Sequence, residues 1–95
     1  MSVIQKYPNI VELFKNLAKE KRFSPIDRLA RALSSEMVRI ALYEALRIGA
    51  TEGWKLPPDE EVDAFLSDVE RNPGVAQKVA VVALTAAQKV AEGMG

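Results

Sequence analysis

The 95-residue chain has no cysteine and no histidine. Without cysteine there is no disulfide framework and no thiolate zinc site, a composition that fits a cytoplasmic protein. Without histidine, the commonest general base and the commonest metal ligand are both missing. Asparagine and glutamine are scarce, at three each. Together with the absence of cysteine, that points to a thermophilic source. There is no long hydrophobic run either. The longest, VAVVALTAA at 79–87, is nine residues including a threonine. A bilayer span needs about 20, so no membrane role is expected. The start, MSVIQKYPN, has no apolar stretch of signal-peptide length.

Catalytic signatures are absent too. No GxSxG, P-loop, GxGxxG or HExxH occurs. A nucleophilic enzyme would need a Ser–Lys pair or a carboxylate. The serines at 2, 24, 34, 35 and 67 are accounted for by a terminus, helix caps and helix surface. Asp59 and Asp63, four apart, with Glu60, are the one set that could share a hard cation. As acids near a helix start they are also what the helix dipole favours. The expectation is a non-enzyme with no metal and no cofactor.

What the sequence does contain is helix punctuation. The length suits one domain over 1–95, and 48% apolar residues suffice for one modest core. Pro8 opens an amphipathic segment to about 21, with Ile10, Leu13, Phe14, Leu17 and Ala18 on one face. FSPIDRL reads as a second start, with Ser24 as N-cap, Pro25 at the first helical position and Asp27 completing an S-x-x-D box. That helix is expected to run, kinked at most, to a stop at Gly49; LSSEMV offers an alternative break at Ser34 or Ser35. GATEGWKLPP, 49–58, is the loop. Its Trp54 either stacks on a base or anchors a partner, or folds down to seal the bundle. A third helix follows Pro58, with Val62, Phe65, Leu66 and Val69 on one face. NPG at 72–74 separates it from a last helix ending near Glu92, with Asn72 as cap. The fold expected is all-α, a small antiparallel bundle of four helices, or five.

Two helices are apolar over a wide arc. Met37, Ile40, Ala41 and Ile48 mark one face of 37–48, and Val38, Leu42, Ala45 and Leu46 another. In 75–91 a valine stripe runs beside a stripe of alanines. Either both helices are central, or part of their surface meets another subunit; an oligomer is expected.

Charge is unevenly placed. Lys and Arg number 13 and Asp and Glu 13, yet residues 1–50 carry nine basic and five acidic groups, and 51–95 four and eight. Such a molecule can hold a polyanion at one end, or bind copies of itself head to tail. The basic charge concentrates in KEKRFSPIDRLAR, 19–31. Arg31 has Asp27 at i−4, and Lys15 has Glu12 at i−3; Lys19, Lys21, Arg22 and Arg28 have no acid at i±3 or i±4. On one continuous helix Arg28, Arg31 and Arg39 fall within about 80° of each other. Lys19, Lys21, Arg22, Arg28, Arg31 and Arg39 are therefore the candidate contacts to RNA or single-stranded DNA, with Phe23 among them for stacking. Against this, Glu44 or the acidic third helix could neutralise the patch, and a sequence pI of about 6.3 is low for a strong DNA binder.

FSPIDRLARALSSEMVRIALYEALR, residues 23–47, resembles the helical core of the small subunit of archaeal type I-A CRISPR surveillance complexes, through IDRLARAL, SSE and ALYEALR. The resemblance covers about a quarter of the chain. It implies a compact α-helical, self-associating subunit that packs along larger Cas proteins in antiviral defence and steadies nucleic acid through backbone charge. The chain is short for that family and lacks the β-rich portion of some relatives, so no family site residues are carried over. The alternative is an adaptor bundle with no nucleic acid.

Overall fold

The computed structural model describes residues 2–94, excepting the side chain of Met94; Met1 and Gly95 of the expected 1–95 domain lie outside the described residues. Every regular element among these is an α-helix: α1 (Val3–Lys6), α2 (Pro8–Lys19), α3 (Ser24–Ala30), α4 (Ser35–Glu52), α5 (Asp59–Arg71) and α6 (Gly74–Met94). Six helices thus stand where four or five were expected. The extra ones are the short α1, closed by a Ser2–Gln5 capping box, and the split of the second helix.

That split corrects the single helix expected from Ser24 to Gly49. Ser34 has extended backbone and accepts the Met37 N–H at 3.4 Å, so α4 starts afresh there. Upstream, the Gln77 side chain donates to the Ala32 carbonyl, satisfying one acceptor that the break frees. Ser24 is not a cap. Phe23 is the N-cap and its carbonyl accepts the Asp27 N–H at 2.8 Å, leaving Ser24 and Pro25 inside the first turn. Gly49 is not a stop. α4 runs on to Gly53, which ends it with a left-handed φ of 76°. Gly49 is instead a packing glycine, since a Cβ there would lie 2.9 Å from Leu56 Cδ2 and 3.0 Å from Leu13 Cδ1. Asn72 does cap α6, its Oδ1 accepting the Gly74 N–H at 3.1 Å.

The most extensive contact is α2 against α6; α3 lies between α4 and α6, and α5 closes against α4, α6 and α2. The buried side chains form one cluster led by Tyr7, Phe14, Phe65, Leu17 and Leu42. All of it is hydrocarbon except the Tyr7 phenol, and none of it is sulfur. The radius of gyration, 12.4 Å, matches the ~12 Å of a compact chain this long. Trp54 is half-buried and packs on the core beside Gly49, the sealing role of its two readings.

Two carboxylates of α5, Asp68 and Glu61, fasten the N-terminal region. Tyr7, between α1 and α2, meets Phe65 edge-on at 5.1 Å and donates its hydroxyl to Asp68 at 2.7 Å. Lys6 reaches the same carboxylate at 3.2 Å. The start of α2 has no side-chain cap of its own. Glu61 of α5 supplies one, accepting the Ile10 N–H at 2.7 Å and the Asn9 side-chain amide at 2.9 Å.

Candidate functional site

The six candidate cations separate into two sets. Four arginines are each held by a carboxylate. Arg22 pairs with Glu52 at 3.0 Å, Arg28 with Glu44 at 3.0 Å, Arg31 with Asp27 at 3.2 Å and Arg39 with Glu70 at 3.3 Å. Three of these pairs involve α4, fastening it to the α2–α3 joint, to α3 and to α5. Glu44 and the third-helix acid Glu70 are the neutralising partners that the sequence offered. The guanidinium groups stay partly exposed, so each pair is worth only about 0–1 kcal/mol.

Lys19 and Lys21 form no ion pair among the described residues. The pair Lys15–Glu12 also does not form. The common face of Arg28, Arg31 and Arg39 assumed an unbroken helix. With the break at 31–34, Arg28 and Arg31 stay together on α3 beside Met37 and Ile40, while Arg39 belongs to α4 and turns to α5.

The two free lysines sit where α2 ends. Lys21 donates its N–H to Ala18 O and Arg22 donates to Leu17 O, so the helix closes in a Schellman motif. Lys21 occupies the left-handed position of that motif, φ 59°, where glycine is the usual residue. No other described non-glycine residue has a positive φ. Beside it, Phe23 is 46% exposed. Lys19, Lys21 and Phe23 form one wall of an open groove of ≈ 700 Å³; Leu84, Ala87 and Val90 of α6 form the other. The lining is apolar apart from the two lysines and Gln88.

Other large apolar side chains stand in solvent. On α4 these are Met37, Ile40 (52%) and Tyr43 (52%), one turn apart, with Leu33 just before the helix. On α6 they are Val81 (61%), Leu84 and Val90. The wide arcs of these helices are thus half core and half exposed. Tyr43, Leu56, Asp59 and Asp63 line a separate patch that combines apolar groups with two carboxylates. Asp59 and Asp63 make no ion pair, and among the described residues no three His, Cys, Asp or Glu side chains gather as a metal site. Nor is any described helix long and apolar enough to cross a membrane.

Two groups have clearly displaced titrations. Burial, then the bond to Asp68, pushes the Tyr7 phenol well above its ordinary value. The Tyr7 hydroxyl, followed by Lys6, holds Asp68 below the usual carboxylate range. Both belong to the structural clasp.

Comparison with family models, with curated proteins and with solved structures gives no match. The reading of function rests on the surface just described.

Proposed function

We propose that this chain is a non-catalytic interaction module, a small helical subunit that joins other protein surfaces through its apolar helix faces. The observation that carries this is the row of large apolar side chains left in solvent on α4 and α6, Ile40, Tyr43, Val81 and Leu84 among them. The arginines favour the same reading, because their charge is already answered within the chain. The test is native mass in an extract of the source cells. The tagged chain should migrate in a larger species, and Ile40→Lys with Val81→Lys should release it. A wild-type chain that runs as a free 10.5 kDa monomer overturns the proposal.

A second reading is favoured by one observation, the unpaired Lys19 and Lys21 beside exposed Phe23. It makes the chain a subunit of a nucleoprotein complex of the CRISPR effector kind, touching the backbone of RNA or single-stranded DNA. Salt dependence separates the contact sets. Between about 50 and 200 mM salt, two phosphate contacts lose roughly 7-fold in affinity and six lose roughly 300-fold. Anisotropy of a labelled single strand should show the smaller fall if the ion-paired arginines take no part. No binding at the lower salt removes the reading for the isolated chain.

A further inference from the structure

We infer that the groove between the end of α2 and α6 is a docking site for a second copy of this chain, which presents its Tyr43–Leu56–Asp59–Asp63 patch. The inference rests on the reading of the chain as an interaction module and names one partner for it, held by surfaces apart from Ile40 and Val81. Four observations carry it.

The first is charge complementarity. The groove is lined by Lys19 and Lys21 together with the apolar Phe23, Leu84 and Val90, and the patch by Asp59 and Asp63 together with Tyr43 and Leu56. Among the described residues none of these four charges is paired. Each surface lacks what the other supplies.

The second is position. The groove lies at the C-terminal end of α2. The start of α5, which bears Asp59, is tied to the N-terminal end of α2 through Glu61 and Ile10. The 12 residues of α2 hold those ends roughly 18 Å apart. The surfaces share no residue and do not meet in one molecule.

The third is Lys21. A lysine in left-handed backbone is sterically disfavoured relative to glycine. A side chain kept at that cost, in the lining of an apolar groove, marks a position where charge is wanted. The fourth is the formal net charge of +0, which leaves no overall repulsion between copies.

Because groove and patch are different surfaces, the contact is heterologous. Each copy offers one groove and one patch, and assembly proceeds head to tail.

The experiment is sedimentation velocity over a concentration series, with a charge exchange. Lys19→Glu/Lys21→Glu makes both surfaces acidic, and Asp59→Lys/Asp63→Lys makes both basic. All four side chains are exposed or at helix ends, and far-UV circular dichroism confirms that each variant stays helical. Wild type should associate, and each variant alone should associate at least about 10-fold more weakly. An equimolar mixture of the two should recover association, since every groove then meets a patch of opposite sign. A monomeric wild type up to ~1 mM overturns the inference, and the extract experiment separately judges the module reading. Association that both variants retain places the contact elsewhere and overturns this inference alone. A wild type that stays monomeric but binds a labelled single strand through Lys19 and Lys21 assigns the groove to nucleic acid and overturns it as well.

Discussion

At the scale of single residues, the two most informative are Lys21 and Tyr7. Replacing Lys21 by glycine relieves a left-handed lysine and should raise stability by about 1 kcal/mol. It should weaken association at the same time. A gain in melting temperature joined to a loss in assembly would show that position 21 is kept for its side chain. Tyr7→Phe removes a hydroxyl that donates to a carboxylate and should cost about 1.5–3 kcal/mol at neutral pH, measured by denaturant titration. The pH dependence follows from the two displaced groups. Asp68 is depressed in the folded chain, so its contribution is complete above the unfolded carboxyl value of about 3.9 and fades as pH falls through the folded one. Tyr7 is raised, so its contribution is complete below about pH 10 and fades as pH rises towards the folded value. Melting curves across pH should therefore show wild type losing stability at both extremes, with the alkaline loss smaller in Tyr7→Phe. Neither residue's role was legible in the sequence. Tyr7 precedes a proline in an ordinary helix start, and its partner lies 61 positions away. Lys21 sits at a helix end that no glycine announces.

At the scale of elements, local chemistry was legible and tertiary satisfaction was not. Pro8, Pro58 and Asn72 mark real helix starts because each acts on its own backbone. The start of α2, in contrast, is capped by Glu61 from another helix. From sequence, Glu61 is only an acid in the first turn of α5. Gly49 and Gly53 make the same point. Both resemble helix stops, but only Gly53 has left-handed backbone, and nothing crowds it. Gly53→Ala should cost about 1 kcal/mol for its backbone, and Gly53→Asn less, since asparagine tolerates that region. Gly49→Ala meets Leu13 and Leu56. Overpacking of about 1–3 kcal/mol outweighs a helix-propensity gain of about 1 kcal/mol. Chemical denaturation of the three variants separates the causes. At the α3–α4 break, Ser34→Ala should cost about 1 kcal/mol through loss of the cap on α4. The continuous helix expected there failed because IDRLARALSSEMV carries helical periodicity through the break; only the cap at Ser34 gives it away.

At the scale of the whole molecule, the basic and acidic halves remain a property of the chain, but three of the six arginines are paired across elements and a fourth within its own turn. The basic cluster was readable as composition; its neutralisation depended on which helices become neighbours. Glu44, Glu52 and Glu70 lie 16 to 31 positions from their partners. Salt should accordingly act on two observables differently. The four arginine pairs are exposed enough that screening them moves the melting temperature little. Association through Lys19, Lys21, Asp59 and Asp63 should weaken as salt rises. Thermal melts and sedimentation in the same buffers check both.

The core described above is hydrocarbon and one phenol, with no sulfur atom. Methionine and cysteine are the side chains that peroxide attacks first, and in most cores such oxidation inserts a polar oxygen among packed groups. Among the described residues no buried side chain offers that reaction. Met37 is 42% exposed on α4, and a sulfoxide there would face solvent. Peroxide should leave the helical signal and the unfolding midpoint of this chain close to their starting values.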